Sequence, residues 1–563
     1  MTRLWGAIFV AACSSSAPVT VRPAPARANP AATVAAKLPA AEALSAGTAI
    51  SKTIRVGESH WYQIDAGPSM VVSGAVIQKG IDVAVHTYDS SGKHLQEIDS
   101  PNGTTGPEPF VIETTAPGPY RIEVRTFTEP SPDGPPTLAG DYEVRVDQVQ
   151  SADSYAEQLA RNEIESERVL KVWSAARIHD QAALDRYWTE LKGKTPIVEP
   201  YAGDKDSRLI TFIMRSPHPY VGLLRGPAGV GEAGMRRIGD SDFWYATARI
   251  PAESHFDYAF IETSGPPPLH VPYRPLEEGD RRFKLRITDP NNPTQHMGMS
   301  RVDIPAAPAA PWLTDDPSTQ KGTVSTMQLS SAVLGEKRLV GVYLPAGYDT
   351  KERYPLIIAF DGEAYGLEAP ALVPLPQILD NLIAAKKIRP VVAALVANQN
   401  TRVRDLVASP PFASFVVDEL VPKMRDKYHA GLSARDTVVT GSSLGGTEAL
   451  YIGLQHSRSV GNVLTNSAAA LWMRPHQFDA DVSDYVEGSE LIHDYAKTLK
   501  LPLRFYMDAG IFEGTLRDSN RHLRDVLTAK GYDVTYAEFA GGHDSEMWRV
   551  TIPSGLIALL GRR

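Results

Sequence analysis

The chain has 563 residues, of which 43% are hydrophobic and 22% charged, with a formal net charge of −9. That length excludes a single core and sets an expectation of about three domains of ordinary size. The acidic balance excludes a global pull toward nucleic acid, and no apolar run approaches the ~20 residues that a membrane-spanning helix needs.

Arg3 is followed by Leu4-Trp5-Gly6-Ala7-Ile8-Phe9-Val10-Ala11-Ala12 and then Cys13, the only cysteine. A basic start, a short apolar core and small residues outline a secretory signal over residues 1–12. Val10-Ala11-Ala12-Cys13 also resembles the bacterial lipobox, which makes Cys13 the expected lipidation site. Lipid there would anchor the chain without a spanning helix. A single thiol forms no internal disulfide and suits an oxidising compartment. The expected location is therefore outside the cytoplasm, periplasmic or at the cell surface. Residues 13–48 are rich in Ala, Pro and Ser and read as a flexible tether.

Residues 50–148 carry short alternating runs broken by Gly, Pro and Asp, among them Trp61-Tyr62-Gln63-Ile64, Ile81-Asp82-Val83-Ala84-Val85, Tyr120-Arg121-Ile122-Glu123-Val124 and Tyr142-Glu143-Val144-Arg145-Val146. Period-two alternation with frequent turns predicts an antiparallel β-sandwich. The pattern resembles the pre-peptidase C-terminal type of sandwich found on secreted enzymes, a ligand- or surface-binding module or a spacer.

A second region spans 151–310. Leu159, Ile164, Val169, Leu170, Val172 and Trp173 recur at helical spacing, and Leu184, Tyr187, Trp188 and Leu191 predict a further helix ending at Gly193. Strands follow at 209–213, 244–250 and 256–260, in a pattern that looks like an immunoglobulin-like sandwich. Tyr187-Trp188, Thr195-Pro196-Ile197-Val198-Glu199-Pro200, Asp242-Phe243-Trp244-Tyr245 and Asp289-Pro290-Asn291-Asn292-Pro293 are similar to the N-terminal domain of enterochelin esterases. The Pro-rich stretch from Pro305 to Pro317 reads as a linker.

From 322 to 563 strands and helices alternate. Leu339–Leu344 is a strand; Leu356–Phe360 and Val391–Val396 are almost wholly apolar, as strands buried on both faces must be. Helices are expected around Leu379–Ile383 and from Phe412 to Tyr428. This predicts a doubly wound α/β sheet, an α/β-hydrolase domain preceded by two β-sandwich domains.

Gly441-Ser442-Ser443-Leu444-Gly445-Gly446 lies between the apolar strand Thr437–Thr440 and the helical run Thr447–Leu454. G-x-S-x-G in that setting is a nucleophile elbow, with Ser443 lifted above the sheet edge and the helix start facing a developing oxyanion. A serine hydroxyl needs a base. Of the five histidines beyond it, His456 ends the elbow helix, His493 and His522 lie in polar helical stretches, and His476 follows Pro475 in a loop. His543 sits in Ala540-Gly541-Gly542-His543, just past the predicted strand Val534–Phe539, where sites of open α/β sheets collect. The acid that orients it is expected on the loop after Leu503–Asp508: Glu513, with Asp508 as competitor. The oxyanion donors are the backbone N–H of Leu444 and, from Asp361-Gly362-Glu363, that of Glu363.

Asp361-Gly362-Glu363, Arg402 with Arg404-Asp405-Leu406, the elbow, Ala509-Gly510-Ile511-Phe512-Glu513, and Gly541-Gly542-His543-Asp544 with Trp548-Arg549 together resemble the pattern of enterochelin (ferric enterobactin) esterases, over nearly all of residues 155–563. The resemblance implies hydrolysis of the ester bonds of a cyclic trilactone siderophore, with Ser443 as nucleophile, His543 as base and Glu513 as acid. A ferric catecholate is anionic, so Arg404 and Arg549 are candidate substrate contacts, with Arg402 a weaker one and Trp548 a flanking aromatic. Structural pairing of Arg404 with Asp405 or a neighbouring carboxylate competes with that role. No cluster has metal-ligand spacing, so neither a protein-bound metal nor a cofactor is expected. The export signal and the 50–148 sandwich depart from the family. They leave open a carbohydrate ester (feruloyl or acetyl) as substrate, or a non-catalytic lipid-anchored binder.

Overall fold

A computed structural model describes residues 39–100, 103–126, 139–229, 231–266, 283–470 and 489–561. The leader, Cys13 and His476 lie outside them. The described residues divide into two units, one ending at Leu170 and one running from Lys171 to the carboxyl end.

The first unit is a sandwich of two sheets. One holds five strands in the order Glu42–Ala43, Ser59–Ala66, Gly118–Thr126, Val83–Tyr88 and His94–Ile98; the other holds four, Thr48–Arg55, Ala139–Ser151, Met70–Lys79 and Thr105–Glu113. Alternation places Tyr62, Ile64, Val83, Val85, Ile122, Val124, Tyr142 and Val144 in the core between them. The helix Ala152–Glu163 follows directly, with the Ser151 hydroxyl accepting from the Ser154 N–H as its cap. Helical periodicity continues through Ile164, but the backbone turns extended there (φ −110°, ψ 100°), and a new helix begins at Glu167.

The second unit opens with helical residues up to Arg177 and the helix Gln181–Glu190, then forms a second sandwich. Its four-stranded sheet is Ile197–Tyr201, Asp204–Arg215, Phe243–Pro251 and Arg236–Arg237; the five-stranded sheet is Glu232–Gly234, Tyr220–Leu224, His255–Thr263, Met299–Asp303 and Gln295–His296. Phe212, Trp244, Phe256, Tyr258 and Phe260 fill the core between the sheets.

The same unit carries the eight-stranded sheet: β1 (Thr323–Ser331), β2 (Glu336–Leu344), β3 (Leu356–Ala359), β4 (Val392–Val396), β5 (Thr437–Ser442), β6 (Asn462–Asn466), β7 (Arg504–Gly510) and β8 (Asp533–Phe539). Their order is β1-β2-β4-β3-β5-β6-β7-β8, with β1 and β2 antiparallel and the pairs from β3 onward parallel. Helices α1 (Leu375–Ala384), α2 (Val421–Tyr428), α3 (Leu444–Gln455), α4 (Glu490–Lys497), α5 (Thr515–Ala529) and α6 (Ser545–Leu560) accompany it. The central strands are buried on both faces, as their unbroken apolar sequence requires. One cluster, including Leu356, Val439, Ala449, Leu450 and Leu527, fills one side; Ile357, Val438, Ile378, Leu464 and Leu556 belong to a second.

Two expectations change. The single helix expected over 412–428 is broken into a short turn, a wide π stretch at Phe415–Leu420, and α2. Pro422, which has no N–H to give, sits at the second position of α2, just past the wide stretch. The expected free linker is in fact docked: Pro311–Leu313 forms a helical turn whose flanking carbonyls accept from α1. Asn381 Nδ2 donates to Trp312 O and Thr314 O at 2.9 Å each, and Gln377 Nε2 to Leu313 O at 2.9 Å.

Candidate active site

The turn between β5 and α3 is dictated by its small residues. Ser443 stands at φ 55°, ψ −121°, a region that a side chain adopts only under constraint. A Cβ on Gly441 would lie 2.5 Å from the Gly445 carbonyl carbon, and one on Gly446 would lie 2.9 Å from Ala468 Cβ. Neighbours clamp the turn: Ser443 N–H donates to Asn466 O at 3.1 Å, and Ser443 O accepts from Thr447 N–H and Ala469 N–H at 3.1 Å each. Leu444 is the first residue of α3, so its N–H belongs to the set left without an intrahelical acceptor, at the positive end of the helix dipole.

The second expected oxyanion segment follows β3. Asp361 takes φ 55°, and Gly362 N–H donates to Val396 O at 2.8 Å. A Cβ on Gly362 would meet the Leu395 and Val396 carbonyl carbons at 2.8 Å, so only glycine lets this loop press against β4. The Glu363 carboxylate accepts from Asn398 N–H at 2.9 Å and Gln399 N–H at 3.2 Å, tying the loop to the one after β4. The loop also touches the elbow: Tyr365 OH and Ser442 Oγ share a hydrogen bond of 2.6 Å, and a Cβ on Gly445 would lie 3.1 Å from Asp361 Oδ2.

The acid and base candidates sit past the ends of the next strands. Glu513 follows β7 with its side chain fully buried, and its Oε1 lies 3.7 Å from Nδ1 of His543, which follows β8 and is 18% exposed. Ser467, just past β6, donates its hydroxyl to Glu513 Oε1 and accepts from Trp548 Nε1–H at 2.9 Å. The His543 ring meets the Trp548 indole edge-on at 5.0 Å. Ser443, Ser467, Glu513 and His543 therefore occupy one carboxyl edge of the sheet, in the order of β5, β6, β7 and β8.

Asp508 behaves differently. The strand expected to end there runs on to Gly510, which locks Asp508 inside the sheet. Asn466 Nδ2 donates to its Oδ2 at 2.8 Å. Burial, with the nearby Glu513 adding to it, pushes its carboxyl up to about 8.

Arg404, half-exposed, is held by two carboxylates. Its guanidinium donates to Asp405 Oδ1 at 2.7 Å and to Glu336 Oε1 at 2.8 Å, and Asp405 is itself the buried partner of Arg338. Arg402 holds the loop after β3 through a bidentate pair with Asp361. Arg549 is largely buried and faces Glu546, with Nη1 to Oε1 at 3.4 Å. Trp548 is part-buried, against the α6 core and the acid–base pair. Ser467 and Asn466, which join the elbow to the acid, escaped sequence reasoning; their one signal is their position at the carboxyl end of a parallel strand.

The model of the Putative esterase family matches residues 331–559. The iron(III) enterobactin esterase of Dickeya dadantii strain 3937 is 27% identical over 414 residues, covering 68% of this chain and 94% of that one. The iron(III) salmochelin esterase of Escherichia coli O6:H1 is 24% identical over 397 residues, covering 68% and 94%. The crystal structure of the Shigella flexneri enterobactin esterase in the presence of enterobactin superposes with a TM-score of 0.51 at 25% identity, covering 67% of this chain and 97% of that one. The ferric enterobactin esterase of Salmonella typhimurium gives 0.53 at 25% identity, covering 67% and 98%. With its sheet-rich N-terminal region and carboxyl-terminal esterase domain, the chain is an enterochelin esterase-like carboxylic ester hydrolase.

Proposed function

We propose that the chain hydrolyses the ester bonds of a catecholate siderophore, an enterobactin-like trilactone, through an acyl-enzyme on Ser443. His543 takes the serine proton as the Ser443 oxygen attacks the lactone carbonyl and returns it to the departing seryl oxygen. Glu513, opposite Nδ1, fixes the imidazole tautomer and stabilises the imidazolium. The N–H groups of Leu444 and Glu363 receive the tetrahedral oxyanion. Water, activated by His543, then releases the acid and restores Ser443. Iron enters as substrate cargo.

The observation that carries this reading is the pairing of His543 with buried Glu513 on the same sheet edge as the strained Ser443 turn. The substrate class is supported by relatives named for enterobactin and salmochelin. Arg404, half-exposed beside Asp405 and Glu336, stands with Arg549 and Trp548 as a candidate contact for the anionic catecholate. We read the sandwiches as pre-peptidase C-terminal-like and immunoglobulin-like, on their strand alternation. We also place the enzyme in the periplasm or at the cell surface, lipidated at Cys13; exchange of Cys13 for Ser releases it from the membrane fraction if that is right.

Incubation with ferric enterobactin, followed by mass analysis, tests the function: linear trimer, dimer and monomer of dihydroxybenzoylserine are the expected products, absent with Ser443→Ala. An intact trilactone after incubation with active enzyme, alongside turnover of feruloylated sugar, overturns the substrate assignment.

A further inference from the structure

The loops that carry Glu513 and His543 are held from outside the hydrolase sheet. Phe512, adjacent to Glu513, projects into the core of the second sandwich: it is 5% exposed, belongs to the cluster of Phe212, Phe256 and Tyr258, and meets the Phe256 ring edge-on at 5.7 Å and 89°. Ile511 packs against the same cluster. The two catalytic loops are tied to each other where they meet the sandwich, since Phe512 N–H donates to Gly541 O at 3.1 Å.

The His543 loop is held in the same way. His255, the first residue of a sandwich strand, donates its N–H to Ala540 O at 3.1 Å. A Cβ on Gly541 would lie 2.7 Å from His255 O, and one on Gly542 would lie 3.1 Å from Gly226 O. Both glycines of Gly541-Gly542-His543 are thus needed for the sandwich backbone to approach the loop. Three residues past His543, Glu546 is 1% exposed and surrounded by basic side chains of the sandwich: His296 Nδ1 at 2.6 Å, Arg301 Nη1 at 3.5 Å and His255 Nε2 at 3.7 Å, with Arg549 of its own helix at 3.4 Å. His255 is paired in turn with Asp303. Next to the base itself, Asp544 caps α6 by accepting from Met547 N–H at 3.1 Å.

We infer that the second sandwich is a working part of the catalytic centre, and that Phe512 and Glu546 are positioning residues which hold the acid loop and the base loop against each other. The inference rests on reading Glu513 and His543 as acid and base. Neither residue touches the reacting atoms. Phe512 fixes where Glu513 enters its buried position, and Glu546 fixes the first turn of α6 from which the His543 loop is hung. A hydrolase sheet alone supplies the strands; the gap between Oε1 and Nδ1 is set by groups from a different, much earlier part of the chain. Small displacements of a base cost rate far more than binding, because the transition state alone needs the aligned pair.

The test uses the full chain, with kcat, KM and pH profiles on p-nitrophenyl butyrate for Phe512→Ala, Phe512→Leu, Glu546→Gln and Ser443→Ala. Circular dichroism and thermal unfolding establish which variants fold. Phe512→Ala and Glu546→Gln are expected to lower kcat about tenfold or more, with KM within about twofold of the parent. The acid limb of their kcat profile shifts to lower pH, because a loosened Glu513 no longer favours the imidazolium. Phe512→Leu, which refills the apolar socket, restores most of the rate. If Phe512→Ala does not fold, a folded Glu546→Gln with the parent's kcat and pH profile overturns the inference. Folded Phe512→Ala and Glu546→Gln with parental values overturn it directly. Full activity in Ser443→Ala, by contrast, removes the acid–base reading beneath it.

Discussion

Ser467 donates its hydroxyl to the Glu513 carboxylate while accepting from the indole N–H of Trp548, so one serine fixes both Glu513 and the aromatic wall beside His543. The hydrogen bond to Glu513 is charge-assisted and wholly buried. Such bonds contribute about 1.5–3 kcal/mol, and their loss leaves Glu513 Oε1 without its hydroxyl donor. Ser467→Ala is therefore expected to lower the unfolding free energy by about 1–3 kcal/mol in urea titrations and to reduce kcat by about tenfold.

Glu513 and Asp508 separate cleanly by substitution. Glu513→Gln leaves the shape intact but removes the charge that holds the imidazolium, and kcat on an activated ester is expected to fall by about 10³–10⁴. Asp508→Asn is expected to keep kcat within about tenfold, since its role is to anchor Asn466 within the sheet. An equal loss in both variants assigns the acid to neither alone.

The same Asp508 has a signature in stability. Its carboxyl is raised from 3.8 to about 8, so between those values the folded chain binds more protons than the unfolded one. Its contribution therefore makes stability fall as pH rises through that window. Asp508→Asn is expected to flatten this decline, read as the urea midpoint between pH 5 and about 9.

His255 acts with the same sign at higher pH, but for a different cause. Burial alone would lower it, but Asp303 and Glu546 outweigh burial and the repulsion of Arg301, and raise it from 6.5 to about 9. The stabilisation is complete below pH 6.5 and is lost as pH rises through about 9. Glu546 stays ionised throughout: burial opposes its charge, yet His255, Arg549, His296 and Arg301 hold its carboxyl down at about 2. The thermal midpoint of the parent, less that of His255→Asn, is expected to shrink between pH 7 and 10.

The elbow tolerates no added carbon. Gly446→Ala places a methyl 2.9 Å from Ala468 Cβ and 3.0 Å from its Cα, within a packed helix–strand contact. Overpacking of this kind costs about 1–3 kcal/mol and displaces Ser443 with it. Gly446→Ala is expected to lose both thermal stability and esterase activity, whereas Gly335→Ala, where a Cβ has open space, loses at most what its positive φ imposes.

Much of this was legible where local physics decides the outcome. Leu356–Ala359 and Val392–Val396 read as strands because nothing but burial on both faces suits them. The elbow read as a turn because glycine flanks Ser443 on a strand-to-helix boundary. Gly541-Gly542-His543 read as a loop at a strand end for the same reason. What escaped depends on distant partners. Asn462–Asn466 does not look like a buried strand, because both asparagines find their acceptors only after folding: Asn462 on Arg435 O and Thr437 O, Asn466 on Asp508. α6 hides behind Pro553 and an apolar circumference that has no one-sided stripe. The pairing of Arg404 with adjacent Asp405 was legible, but its second partner Glu336 was not, because it lies 68 residues away in sequence. Phe512 gave no sign that it belongs to another domain's core.

The docking of Pro311–Leu313 onto α1 bears on how such an enzyme is dissected. A proline-rich stretch ahead of a catalytic domain invites scissors, yet here its carbonyls are the acceptors for Asn381 and Gln377, and Trp312 and Leu313 cover apolar residues of the hydrolase half. Trimming the chain at 322 strips that cover and orphans the buried Asn381 amide and the part-buried Gln377 amide. The natural minimal fragment begins upstream, with the sandwich retained, near Lys171.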